Sequence, residues 1–150
     1  MITKEQSITK KCCFYASDFH LEMILLPYIK QRLDKYNFVI LTQDSLQDSV
    51  KILLDRTNLV KEEKERILNI NWMDEYIEKI LYINNYIDNS KKLNVIINGN
   101  KNFIDKIKEK ITLNKNIELI DCFKYENVKE NAREIALGYD DVLNMNTINK

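Results

Sequence analysis

A chain of 150 residues, 45% hydrophobic and 31% charged, has the make-up of one globular domain that can bury its own core. That excludes a disordered tail and, with no long apolar run, a membrane-spanning helix. Its 23 basic residues balance 23 acidic ones, so no net field draws it to phosphate backbones or anionic lipid, and neither nucleic acid nor a membrane is an expected partner.

Behind a polar lead at residues 1–11, the run Cys12-Cys13-Phe14-Tyr15-Ala16 is short and apolar on both faces, which predicts a central parallel strand. Ser17 and Asp18 then offer helix N-caps. Over residues 19–35, Leu21, Ile24, Leu25, Tyr28 and Leu33 recur at steps of three and four, an amphipathic helix that Pro27 should kink. The unit repeats with a strand at 38–41, the polar turn Thr42-Gln43-Asp44, and a helix carrying Val50, Leu53 and Leu54, with Asp44 and Gln47 at capping-box spacing. A charged helix over 61–68 and a short strand over 69–72 follow, the latter with Ile70 and Trp72 on one face. A helix over 73–89 places Met73, Tyr76, Ile77, Ile80, Ile83 and Ile87 in one core-facing stripe, with Tyr82 and Tyr86 on the opposite side. Residues 93–97 form the clearest strand, closed by Asn98-Gly99-Asn100 before a helix striped with Phe103, Ile104, Ile107 and Ile111. A strand over 117–122 and a helix over 125–137, ended by Gly138, lead into a tail at 139–150.

Strands alternating with helices, and no hairpin signal between strands, predict one α/β domain over residues 1–150. Its architecture is a Rossmann-like three-layer sandwich of about five mainly parallel strands with helices on both faces. Ligands of such sheets bind beyond the carboxyl ends of the strands. That rule selects Ser17, Asp18 and His20; Thr42, Gln43 and Asp44; Asn71 and Asp74; Asn98 and Asn100; and Asp121 with Lys124.

The chemistry within this set is limited. With two glycines and one proline in the chain, a phosphate-cradling loop or a nucleophile elbow lacks the residues it needs where backbone turns sharply or meets a ligand. His20 is the lone histidine, and its neighbours Asp18 and Glu22 stand at i−2 and i+2, positions that face away from His20 on a helix, so no metal site is expected there and no cofactor is expected. Cys12 and Cys13 point to opposite faces of a strand and read as buried hydrophobes. Three cysteines without CxxC spacing, behind a lead with no apolar signal segment, suggest a reducing cytoplasm. A phosphoacceptor receiver would draw on Asp18 and Lys124, yet Asn71 and Asn98 stand where its phosphorylated Asp and hydroxyl are needed.

The stretch Cys13-Phe14-Tyr15-Ala16-Ser17-Asp18, the segment Leu25-Leu26-Pro27-Tyr28-Ile29, and Leu33, Val39-Ile40-Leu41-Thr42 and Asp44 share an order of features. An aromatic-rich strand, an acidic turn, a helix with a Pro-aromatic pair and a second strand follow one another. In this, residues 12–57 resemble the opening of MEDS-type sensory domains, P-loop-less relatives of RecA/KaiC-type ATPases. The resemblance implies a RecA-like core without a Walker lysine, used for sensing or regulation.

The expected function is therefore a non-catalytic cytoplasmic regulatory or sensory binding module on a degenerate nucleotide-binding-like fold. One alternative is a small-molecule enzyme with Asp18 or His20 as acid/base and Thr42, Asn98 and Asp121 holding a polar substrate. A degenerate receiver is the other. Tyr82 and Tyr86 on an outer helix face suggest a protein partner or a homodimer, and a small-molecule ligand at the strand ends is compatible with the fold.

Overall fold

A computed structural model describes residues 8–87 and 90–144. In chain order they form β1 (Thr9–Tyr15), α1 (Asp18–Arg32), β2 (Tyr36–Thr42), α2 (Gln47–Asp55), α3 (Lys61–Leu68), α4 (Ile77–Asn84), β3 (Lys92–Gly99), α5 (Lys101–Lys110), β4 (Ile117–Lys124), α6 (Tyr125–Val128), α7 (Ala132–Leu137) and β5 (Asp141–Leu143). The five strands make one sheet in the order β2-β3-β4-β1-β5, parallel throughout. This is the three-layer α/β architecture that the alternation of strand and helix patterns predicts.

Side-chain alternation along the strands sorts the core into two layers. Cys13, Tyr15, Ile40, Ile96, Ile120 and Cys122 pack under α1, α2 and α3. Cys12, Val39, Leu41, Val95, Ile97 and Leu119 pack under α4, α5 and α6 on the other face. Adjacent Cys12 and Cys13 therefore do belong to opposite cores, both wholly buried. The chain moves from β2 through β3 and β4 to β5 in one direction with α4 to α7 on one face, and from β1 back to β2 with α1 on the other. A single crossover hand accounts for both directions.

Five expectations need correction. Residues 69–72 are not a strand: Asn71 takes a positive φ of 70°, which interrupts extended backbone, and no ladder forms. The fifth strand is β5, inside the stretch assigned to a tail. Asp140 introduces it by donating from its backbone N to Lys10 O at 2.7 Å, while its Oδ2 accepts from Lys10 N at 2.8 Å.

The helix expected over 73–89 is shorter and turned. Met73 N donates to Asn71 Oδ1 at 3.0 Å, an Asx turn that delays the helix to Ile77, and Asp88 and Asn89 lie outside the described residues. Of the supposed core stripe, Ile83 is buried, whereas Met73, Ile77 and Ile87 are exposed. Finally, the helix expected over 125–137 is split into α6 and α7 by the turn at Lys129–Asn131. The Asp44/Gln47 capping box is also absent, because Gln47 Oε1 instead accepts from Trp72 N at 2.9 Å and the N-cap of α2 is Leu46.

Trp72 explains why this irregular segment is held firmly. It is wholly buried in the α1–α3 core, its Nε1 donates to Ile67 O at 2.8 Å, and its carbonyl accepts from Leu46 N at 2.9 Å. Trp72→Ala should cost about 3–5 kcal/mol of stability, the usual range for emptying a large aromatic site, measured by urea unfolding followed by circular dichroism.

Candidate functional site

Two places at the carboxyl edge of the sheet satisfy the crevice rule. Between β1 and β4 the chain leaves toward opposite faces, to α1 and to α6, and the same divergence occurs between β2, which leads to α2, and β3, which leads to α5. Ser17, Asp18, His20 and Lys124 border the first; Thr42, Gln43, Asp44, Asn98 and Asn100 border the second.

The second is closed by its own side chains. Asn98, nearly buried, accepts at Oδ1 from the Tyr15 hydroxyl at 2.6 Å and donates from Nδ2 to Thr42 Oγ1 at 3.0 Å. Thr42 Oγ1 in turn donates to Asp44 O at 2.6 Å. Gln43 bridges the two strands: its N donates to Asn98 O at 2.8 Å, and its Oε1 accepts from Asn100 N at 2.9 Å. The Asn100 side chain caps α5 by accepting from Phe103 N at 2.8 Å. Gly99 makes this closure possible, since a Cβ there would sit 2.6 Å from Phe103 Cδ2 and 2.8 Å from Gln43 Oε1. Phe103 and Gln43 thus pack directly against the backbone of Gly99 at the strand end. Burial pushes the Tyr15 hydroxyl pKa up, with Cys122, Asp18, Cys13 and Asp44 adding to it, so Tyr15 acts as a neutral donor.

At the first crevice, Ser17 caps α1 by accepting from His20 N at 3.2 Å. His20 Nδ1 accepts from Ala16 N at 2.8 Å, which leaves Nε2 as the ring atom able to meet a ligand. The Asp18 side chain, like that of Asp44, is exposed. The structure thus joins Thr42, Asn98 and Asn100 in one network through Gln43, and places Ser17 and His20 in another.

Asp121 belongs to neither. It lies inside β4, wholly buried on the α5 face, where its Oδ2 accepts from Lys108 Nζ at 2.9 Å and from the Tyr139 hydroxyl. Its position as a strand-end ligand group is corrected: it is an internal ion pair. At the opposite, amino end of the sheet, buried Glu118 pairs with Lys11 at 2.7 Å and accepts from the Tyr28 hydroxyl at 3.1 Å, which itself accepts from Asn94 Nδ2 at 3.0 Å. Asn71 and Asp74 lie in the turn before α4 and not at a strand end, which removes the receiver-like placement of Asn71.

Tyr86 is also corrected. It is 8% exposed, accepts from Asn37 Nδ2 at 3.0 Å and donates to Lys91 O at 2.6 Å. Tyr82 packs edge-on against it and remains half exposed. The sequence pattern did not disclose Tyr15, Gln43 and Phe103 as the closing groups. The one hint was Gly99, because a lone glycine in a strand marks close approach of other atoms.

Among the described residues no three His, Cys, Asp or Glu side chains gather to hold a metal ion, and no helix is long and apolar enough to cross a membrane. No protein-family model, no curated protein and no solved structure matches the chain.

Burial raises the carboxyl pKa of Asp121 against the pull of Lys108 and Tyr139, and raises that of Glu22 against a hydrogen bond from Ser49. Each acid then holds its proton to higher pH in the folded chain than in the unfolded one. Their contribution to stability is complete below the unfolded carboxyl range near pH 4 and is lost as pH climbs through the folded values. Asp121→Asn should flatten part of that downward slope in urea midpoints collected from pH 4 to 7.

Proposed function

We propose that the protein is a non-catalytic regulatory or sensory binding module on a degenerate nucleotide-binding-like α/β frame. The carrying observation is the mutual hydrogen bonding of Tyr15, Asn98, Thr42, Gln43 and Asn100 at the strand ends. A catalytic crevice aims such groups at a substrate; here they are spent on one another, and Phe103 packs against Gly99 beside them. The resemblance of residues 12–57 to sensory domains that lack a P-loop supports the same reading.

The enzyme alternative relies on Asp18 and His20 alone, since Asp121 is committed to Lys108 and Tyr139. A thermal-shift series with ATP, acetyl phosphate and Mg²⁺ separates the two. The binding-module reading expects no change in Tm beyond about 1 °C at concentrations where a millimolar ligand would give several degrees. Stabilisation that is lost in Asp18→Ala would establish the enzyme or receiver instead.

A protein partner is the natural client of such a module, and α4 offers the surface. Ile77, Leu81 and Tyr82 are 79%, 57% and 48% exposed, flanked by exposed Glu75 and Glu78, an apolar centre with a polar rim. The simplest partner is a second copy. Sedimentation at tens of micromolar should show a dimer that Ile77→Glu/Leu81→Glu dissociates; a monomeric wild type would sink self-association through this face.

A further inference from the structure

A second space that could receive a ligand lies away from the strand ends, between α1 and α2. A groove of about 420 Å³ is lined by Met23, Leu26, Pro27, Leu53 and Leu59, and a smaller one of about 180 Å³ by Phe19, Ile52 and Arg56. The two meet at Glu22 and Leu53, which line both. Their combined size and apolar walls are those of a small-molecule site.

Glu22 is the anomaly in those walls. It stands in the buried stripe of α1, 1% exposed, and an acid so placed is ordinarily paired with a cation. None among the described residues pairs with it. Ser49 on the facing helix donates to Oε2, which fixes the carboxyl in the groove. Oε1 has no hydrogen-bond partner among the described residues, and Glu22 is a wall residue of both grooves. Lys30 and Arg56 also line the grooves but form no ion pair with Glu22. Asp18, one turn earlier on α1, adds a like charge whose effect reaches Glu22. The floor of an apolar groove thus presents an oriented acid, with a second negative charge nearby and with neither Lys30 nor Arg56 of the groove walls paired to it.

We propose that this groove binds a small monocationic amine with an apolar tail, the ammonium seated on Glu22 and the tail lying along Met23, Leu26, Leu53 and Leu59. The ammonium supplies the donor that Oε1 lacks and the paired cation that neither Lys30 nor Arg56 provides, while the tail covers apolar wall otherwise left to water. An alcohol of the same length would gain the second effect without the first, and a carboxylate would meet repulsion.

Those three cases define the test, performed on the full chain with n-hexylamine, 1-hexanol and hexanoate. At ten times its Kd, hexylamine should raise Tm by about 3 °C and bind at least tenfold more tightly than hexanol or hexanoate. In spectra of the chain carrying ¹³C-labelled methionine methyls, the Met23 signal should move and that of Met73, which lies outside the groove, should not. Glu22→Gln, which keeps the shape and a partner for Ser49, should reduce hexylamine to the affinity of hexanol. Equal binding of the three compounds, an unmoved Met23 methyl, or undiminished amine binding by Glu22→Gln would each overturn the proposal. If Glu22→Gln unfolds, the Met23 signal and the ranking of the three compounds in the wild type still decide. A response to nucleotide or acyl phosphate would overturn the non-catalytic reading and leave this groove untouched, so the two can fail separately.

Discussion

The position of β1 governs the rest of the molecule. The first strand of the chain lies between β4 and β5, so its ladders join Thr9 to Glu118 and Lys11 to Asp141, residues far along the sequence from it. Because neither neighbour of β1 is local in sequence, much of the loop-closure cost of the sheet falls on placing this one strand. Once β1 is in place, Cys12 and Cys13 anchor the two opposed cores, and α1 must return across one face to begin β2 at the far edge. That return leaves the opposite face free for α4 to α7, which is what produces two layers of helix with a fully parallel sheet between them.

A sheet covered on both faces has to satisfy its polar side chains internally, and it does so in three separate groups. Glu118 with Lys11, Tyr28 and Asn94 lies at the amino end; Asp121 with Lys108 and Tyr139 lies under α5; and Tyr15, Asn98 and Thr42 lie at the carboxyl end. Each is largely self-contained, although Asn94 Oδ1 and Asp121 Oδ1 have no partner among the described residues. Networks of this kind favour one arrangement of strands over its alternatives more than they add stability, since the desolvation they require offsets most of their attraction. The third group is the one that bears on function, because it occupies the position where this architecture ordinarily receives a ligand.

The sequence disclosed those parts of the fold that follow from local patterning. β1, β2, β3 and β4 are apolar runs with polar punctuation, α3 matches residues 61–68, and Ser17 and Asn100 cap α1 and α5. Where packing between distant segments decides the outcome, the pattern misled. Trp72 and Ile70 resemble alternate residues of a strand, yet a buried indole and a left-handed Asn71 make the segment a turn. The isoleucines of α4 are numerous enough to suggest any of several buried faces, and the helix that forms turns Ile83 inward and Ile77 outward. β5 has three residues, one of them Asp141, too short and too polar to stand out from a tail. The site was legible as a set of residue types at strand ends, but whether Asn98 and Thr42 face a ligand or one another depends on Tyr15 and Phe103, whose reach no spacing rule conveys.

β2 is the outer strand of the sheet, with a ladder to β3 on one side only, and an open edge of seven residues is a template on which another chain can add itself as a further strand. The turn between α3 and α4 passes from one face of the sheet to the other at this edge. Lys79 pins it there, donating to Ile40 O at 2.8 Å, Asn71 O at 3.1 Å and Met73 O at 2.7 Å, while Tyr76 donates to Gln43 O at 3.2 Å. The single ammonium therefore blunts the sheet edge: it occupies a strand carbonyl that an incoming β-strand would need and holds an irregular, non-pairing segment against it. An incoming strand would therefore find only part of the β2 edge open to pairing.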